Sequence, residues 1–311
     1  MEKENPRCPI RRQAVPSIEE LSGGGGLDPL NESGAAKTPS FIKRYQKRGV
    51  FLVNAECAMY CRFCNRRRFV GKGWDPENYR EETFQYLEKS DEIEEVIISG
   101  GDPFMLSPDE IGYILARLRA IPRIRTIRVS SRIPLVHPAG MGRGHFAALK
   151  KASPVWVVIH INHPREISPQ FVDVIKRLRG TGAALVSQTV LLRGVNDCPR
   201  VIARLFDGLV SCGIKPYYMF QLDEVKGAQH FKVRLSRGIE IMRYLREHCS
   251  GLAIPHFALD ITGGLGKAPV DHVYVKKRVG KRVTVEGRSG RTGVYLDDGR
   301  KSECVKCGLC K

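Results

Sequence analysis

One repeating pattern leaves few folds open to this chain. Short apolar runs rich in β-branched residues alternate with segments of helical periodicity. The runs are "GVFLVN" (49–54), "EVIISG" (95–100), "TIRVSS" (126–131), "PVWVVIHI" (154–161), "AALVSQTV" (183–190), "KPYYMFQL" (215–222) and "LAIPHFAL" (252–259). Continuous apolar strands separated by helix-length segments predict parallel β structure, because a strand covered on both faces has no need of polar alternation. Helices are predicted over "SPDEIGYILARLRAI", with a capping start at Ser107, over "SPQFVDVIKRLRGTG", ending on glycine, and over "CPRVIARLFDGLVSCG" and "SRGIEIMRYLREHCSG". Six or seven such units predict an α/β fold, a full or partial (β/α) barrel, with its chemistry at the C-terminal ends of the strands.

The rest of the chain divides around that barrel. Residues 1–38 include "SGGGGLDPLNESGAAKTPS" and read as a flexible or wrapping arm. Residues 39–270 carry the barrel. Residues 271–311 form a tail that alternates like a hairpin around a Gly/Ser/Arg turn and ends in "ECVKCGLCK". The start "MEKENPRCPIRRQ" has no apolar secretory core, and no apolar run reaches the length of a membrane span. A cytoplasmic protein with no membrane partner is expected, its cysteines reduced and free to bind metal. Lys plus Arg outnumber Asp plus Glu by 51 to 33, which raises nucleic acid as a partner. The basic residues are spread along the whole chain, so a solvated basic surface with sites for anionic cofactors is the preferred reading.

The chemistry-bearing stretch is "NAECAMYCRFCNRRRFVGKG". Cys57, Cys61 and Cys64 follow the first strand directly, so they lie on a loop at its C-terminal end. Thiolates suit zinc or iron–sulfur clusters. A structural zinc would want a fourth ligand nearby, whereas three ligands on one short loop suit a [4Fe–4S] cluster with one iron left open. "ISGGDPF" ends the second strand with Gly100, Gly101 and Asp102, where glycine lets the backbone approach a ligand closely. "FALDITGGLGKAPV" places Asp260, a glycine turn and Lys267 after the last strand; the spacing is not that of a P-loop.

"CAMYCRFCNRRRFVG" resembles the cluster loop of radical S-adenosylmethionine (SAM) enzymes, and more narrowly that of the lysine 2,3-aminomutase family, over most of the chain from about Asp28. The resemblance implies a partial (β/α)6-type barrel. It implies that Cys57, Cys61 and Cys64 hold three irons, and that the fourth chelates S-adenosyl-L-methionine, whose cleavage gives methionine and a 5′-deoxyadenosyl radical. Gly100, Gly101, Asp102, His160 and Gln188 are then SAM contacts, with Ser131 and Arg132 as similar candidates. Lys267 falls on the lysine that forms a Schiff base with pyridoxal 5′-phosphate (PLP), although Leu265 replaces a glycine usual there. Arg44, Tyr45 and Arg48 match the phosphate-binding segment, and arginine's fork suits phosphate.

Arg66 matches the arginine that pairs with the substrate α-carboxylate, and Asp223 and Asp260 match the pair that holds the distal ammonium of lysine. Two carboxylates in one pocket favour a cation between them and disfavour glutamate, but do not separate lysine from arginine. "CVKCGLC" supplies Cys304, Cys307 and Cys310, which with Cys198 would close a zinc site, possible across a dimer interface; its spacing also fits a second iron–sulfur cluster, and zinc is favoured. The resemblance also implies a small-molecule amino acid substrate, a one-electron reductant such as ferredoxin or flavodoxin, and a homo-oligomer. The leading expectation is interconversion of L-lysine and β-lysine. The rivals are an arginine 2,3-aminomutase, a lysine aminomutase for elongation-factor modification, a radical SAM maturase with an auxiliary cluster, and a zinc-dependent RNA-binding protein.

Overall fold

Ten strands form one sheet in which each pairs with its neighbours in the chain, from first to last. The computed structural model describes residues 1–2, 4–287 and 290–297. Strands β1 (Ala36–Thr38) and β2 (Phe41–Tyr45) lead antiparallel into β3 (Arg48–Asn54). From β3 the sheet is parallel through β4 (Glu95–Gly100), β5 (Thr126–Ser131), β6 (Trp156–His160), β7 (Ala184–Leu191), β8 (Lys215–Gln221) and β9 (His256–Ile261). A short β10 (Gly266–Pro269) turns back antiparallel on β9. The order runs from β1 to β10 without closure, so the barrel is partial.

The helices are α1 (Pro9–Ala14), α2 (Arg80–Lys89), α3 (Pro108–Ala120), α4 (Ile133–Val136), α5 (Arg143–Lys151), α6 (Pro169–Arg179), α7 (Pro199–Ser211) and α8 (Leu235–His248). The capping start expected at Ser107 is present: its hydroxyl accepts the Glu110 N–H at 3.2 Å, and Glu110 accepts the Ser107 N–H at 2.9 Å. Helix α3 buries Ile111, Ile114, Leu115 and Leu118, one face at i, i+3, i+4, i+7, and α6 does the same with Phe171, Val174, Ile175 and Leu178. Each such side chain contributes about 1.5–3 kcal/mol of transfer free energy. The seven parallel strands are those read from the sequence, with one shift. The last begins at His256, because residues 251–253 form a 3-10 turn capped by Ser250, ahead of Pro255.

The arm wraps the barrel. Gly26 forms a parallel bridge to Val225: it donates to the Glu224 carbonyl at 2.8 Å and accepts from the Lys226 N–H at 2.9 Å. The glycine run is what permits this. Gly25 has φ +109, and a Cβ there would lie 2.7 Å from the Glu224 carbonyl oxygen.

Intrachain contacts divide at residue 270 into a unit Met1–Val270 and a second beginning at Asp271. The second is a three-stranded antiparallel sheet of β11 (Val275–Val279), β12 (Arg282–Glu286) and β13 (Thr292–Leu296), one strand more than the expected hairpin. Glu286 there pairs with Lys276 at 2.7 Å and His272 at 3.2 Å. Among the described residues no helix is long and apolar enough to cross a membrane.

The glycines after β4 matter for the sheet itself. Gly100 has φ +122, and a Cβ there would sit 2.4 Å from the Asn54 carbonyl oxygen; at Gly101 it would sit 2.2 Å from the Glu56 carbonyl oxygen. Their need for glycine therefore comes from the cysteine loop's own backbone, not only from a ligand. Gly100→Ala is expected to lower unfolding stability by about 1–3 kcal/mol, the usual cost of overpacking, and to reduce iron retained after anaerobic reconstitution; unfolding curves and iron counts check both.

Candidate active site

Residues of β2 to β10 and of the loops that follow the parallel strands line one cavity of ≈ 320 Å³, at the lower end of the range typical of small-molecule sites. The cysteine loop enters it from β3 and is held from below by backbone bonds. Gly101 N–H donates to the Asn54 carbonyl and Asp102 N–H to the Glu56 carbonyl, both at 2.8 Å, while the Asn54 amide donates to the Asp102 carbonyl at 2.8 Å. Asp102 also fastens the next strand. Its carboxylate accepts from the Phe104 N–H (3.1 Å), the Ser131 hydroxyl (2.7 Å), the Arg132 N–H (2.6 Å) and the Ile133 N–H (3.1 Å). Asp102 and Ser131, expected as SAM contacts, thus spend these groups on joining the ends of β4 and β5.

Cys57, Cys61 and Cys64 all line the cavity. Burial, with the negative groups nearby, pushes the Cys57 thiol up, and burial pushes Cys64 up to about 11. A metal that takes the thiolates removes this resistance to ionisation. Among the described residues no three His, Cys, Asp or Glu side chains are gathered around a single metal-sized point. A [4Fe–4S] cluster takes one thiolate per iron, so three cysteines on this loop would leave one iron open. Arg132, at the start of α4, donates from Nη1 to Cys61 Sγ at 3.0 Å.

The arginines after the loop are paired with the arm. Glu20 accepts from Arg62 (Nε 2.8 Å) and Arg67 (Nη2 2.7 Å); burial pushes its carboxyl up, but these bonds outweigh it and hold it at about 2. Glu32, 4% exposed, accepts from Arg66 Nη2 at 2.8 Å and Nε at 3.1 Å and from Arg68 Nη2 at 3.0 Å. Asp28 pairs with Arg68 at 3.4 Å. Arg66 Nη1 also donates to the Ser99 hydroxyl at 3.0 Å. Three of its five N–H groups are therefore used, leaving one on each terminal nitrogen. The carboxylate grip expected of Arg66 would have only that remaining pair to use.

The opposite wall is built by the β9–β10 hairpin. Lys267 lies directly across from Asp260 in the strand register, and its Nζ reaches Asp260 Oδ2 at 3.0 Å and Oδ1 at 3.2 Å, with the Phe220 ring 5.2 Å away. Asp260 also accepts from Arg44 Nη2 at 3.4 Å. The Tyr45 hydroxyl accepts the Lys267 backbone N–H at 3.0 Å, and the Arg48 guanidinium lies over the Tyr45 ring, 4.0 Å to its centroid. Asp223 faces the same space and accepts from the Asn65 amide at 2.9 Å; burial first, then the neighbouring Asp260 carboxylate, raises it to about 7.

His160 and Gln188, paired across β6 and β7, line the cavity. Burial and then Arg132 hold His160 neutral, near 3, and its Nε2 is a buried nitrogen without a partner. Cys198 is exposed at the start of α7; Cys304, Cys307 and Cys310 lie outside the described residues. Sequence reasoning missed Glu20, Glu32, Asn65, Phe220 and the arm's buried Gln13, which accepts from Arg132 Nη2 at 3.2 Å.

A parallel sheet with a three-cysteine loop after its first parallel strand defines a radical SAM enzyme. A model of the radical SAM superfamily matches residues 52–206. The chain is 40% identical over 295 residues to L-lysine 2,3-aminomutase of Fusobacterium nucleatum, covering 94% of this chain and 69% of that one. It is 36% identical to the Clostridium subterminale L-lysine 2,3-aminomutase (98% and 74%), and 34% identical to a glutamate 2,3-aminomutase of Clostridioides difficile (89% and 69%). Among solved structures, Streptococcus suis SuiB bound to precursor peptide SuiA shares the fold at TM-score 0.52 and 15% identity; the match spans 67% of this chain and 47% of that one. The chain belongs to the lysine 2,3-aminomutase family. It is an isomerase of the radical SAM class, using a [4Fe–4S] cluster, SAM and an electron donor on a small molecule.

Asp102→Ala is expected to lower unfolding free energy by about 3 kcal/mol, since it strands buried donors. Denaturant unfolding without SAM should show the full loss; a loss seen only with SAM present would return Asp102 to the ligand contacts.

Proposed function

We propose that this chain is a PLP-dependent 2,3-aminomutase interconverting L-lysine and β-lysine. The observation that carries the reading is the placement of Lys267, Asp260 and Asp223 in the same cavity as the cysteine loop. When bound, PLP supplies a carbonyl for the migrating nitrogen and a ring over which an unpaired electron spreads, and the cluster with SAM supplies the hydrogen-abstracting radical.

The residues present fit these groups. Lys267 offers the amine that PLP requires. Arg44 Nε is buried without a partner, and Arg48 lines the same cavity, so two guanidinium groups could serve a phosphate there. The unpaired His160 Nε2 is a contact for SAM. Arg66 binds the substrate α-carboxylate through its two remaining N–H groups, its other three being fixed by Glu32 and Ser99. Lys267 cannot serve Asp260 and a cofactor carbonyl together. When it turns to the cofactor, Asp260 loses a cation, and a substrate ammonium replaces it between Asp260 and Asp223. A glutamate side chain there would face two carboxylates, which favours the lysine relatives over the glutamate one as guides to the substrate. Phe220 and Phe63 line the walls and exclude water from the reacting groups.

The test is anaerobic reconstitution with lysine, SAM, PLP and dithionite. β-Lysine should form, and borohydride should fix a pyridoxyl group on Lys267; Lys267→Ala should lose both. Product from arginine alone would move the substrate assignment to arginine, and no β-amino acid from either overturns the reading.

Asp223→Asn removes a charge-assisted bond worth about 1.5–3 kcal/mol, so KM for lysine should rise roughly 10- to 150-fold. The wild-type enzyme carries a matching pH dependence. Asp223 is protonated below about 7 and ionised above it, while the lysine ammonium stays charged throughout. KM for lysine should therefore fall as pH rises from 6 to 8, and Asp223→Asn should flatten that profile.

A further inference from the structure

We propose that Arg132 sets the reduction potential of the cluster on the cysteine loop through the hydrogen bond it donates to Cys61, and that Glu166 and Gln13 aim it. The inference concerns entry of the electron alone and does not depend on the substrate.

Arg132 is 7% exposed and its guanidinium is held on two sides. Nη1 donates to Cys61 Sγ at 3.0 Å. Nη2 donates to Glu166 Oε1 at 2.6 Å and Gln13 Oε1 at 3.2 Å. The supports are themselves fixed. The other oxygen of Glu166 accepts the Asn162 and His163 backbone N–H groups at 2.7 and 2.8 Å, and Gln13 Oε1 also accepts from the Asn162 amide at 2.9 Å. The Arg132 backbone N–H is held by Asp102 at 2.6 Å, and the Phe63 ring lies 5.5 Å from the guanidinium carbon. A cation buried only to balance Glu166 has no need to direct its second terminal nitrogen at a sulfur. This one is locked from its backbone to both ends of its fork.

The consequence is electrostatic. One electron enters the cluster from a low-potential one-electron donor; no proton moves and no bond to the protein breaks. The added negative charge is shared with the cysteine sulfurs. An N–H donor and a positive charge at Cys61 stabilise the reduced state more than the oxidised one, and hydrogen bonds to cluster sulfurs are a recognised control on potential. Arg132 therefore makes the potential less negative than the loop alone would give. Glu166, on the far side of the guanidinium, opposes the charge while holding the geometry.

The experiment poises the anaerobically reconstituted full-length protein with dithionite and mediators, without substrate, and follows the reduced cluster by electron paramagnetic resonance, with iron and sulfide counted per chain. Arg132→Gln should shift the midpoint to more negative potential, Arg132→Lys should fall between it and the parent, and Glu166→Gln, which keeps the cation and removes its counter-charge, should lie at or above the parent. A parental midpoint in Arg132→Gln at full iron content overturns the proposal. So does an equal negative shift in Arg132→Gln and Glu166→Gln, which would mean that loss of local order, not charge, moves the potential. If Arg132→Gln does not retain its cluster, Arg132→Lys and Glu166→Gln decide: a negative shift in the first with the second at or above the parent supports the proposal, and any other pair of midpoints rejects it.

Discussion

The site depends first on a backbone contact between the ends of two neighbouring strands. The Asn54 and Glu56 carbonyls accept the N–H groups of Gly101 and Asp102, and this close approach is possible only because positions 100 and 101 have no Cβ. No functional side chain takes part. The cysteine loop thereby acquires the stiffness of the parallel sheet, and its thiols are presented from a surface that cannot easily shift. Asp102 extends the constraint to β5 by capping the backbone of Arg132 and Ile133. Three successive strand ends are fixed relative to one another, and Arg132 is the side chain that this places against Cys61.

The second organising force is charge balance. The chain has an excess of 18 positive charges, and four arginines crowd the cysteine loop between positions 62 and 68. Left alone they would repel one another and the loop would splay. The arm supplies Glu20, Asp28 and Glu32 to Arg62, Arg66, Arg67 and Arg68. Because Glu20 and Glu32 are largely buried, these pairs are screened less than surface pairs and hold their geometry. Arg44, Arg48, Arg66, Arg128 and Arg132 line the cavity, where anionic cofactor and substrate groups are expected.

What could be read from the chain, and what could not, follows from the range of the interactions. The seven parallel strands were legible because each is a continuous apolar run, and helix α3 because its cap and stripe lie within one window. Helices α2 and α5 escaped notice: α2 reads "REETFQYLEK" and buries only Thr83, Phe84 and Leu87, too sparse a stripe to stand out. Strand β10 has four residues, too few to show a period, and exists because β9 offers it an edge. The chemistry-bearing residues were legible as a family motif, and those within the described residues line the cavity except Cys198. Their partners were not. Glu32 lies 34 residues from Arg66, and Gln13 lies 119 from Arg132. A polar residue on a glycine-rich arm looks solvated until the fold brings a cation to it.

The carboxylates Asp223 and Asp260 bear on the charge type that the proposed substrate would carry. Burying two like charges near one another is costly, and the protein has two ways to relieve it. Asp260 is met by Lys267 and Arg44, while Asp223 accepts from the neutral Asn65 amide and is raised to about 7 by burial and then by Asp260. Near neutral pH a proton on Asp223 does part of the work that a cation would do. On the proposed reading, an incoming ammonium would displace that proton and leave both carboxylates ionised, so its binding would draw on the repulsion between them. A neutral side chain gains nothing from the exchange, and an acidic one would require further protons. On the proposed reading, preference for a basic side chain would rest on the closeness of Asp223, Asp260 and Lys267, where the substrate ammonium takes the place that Lys267 leaves.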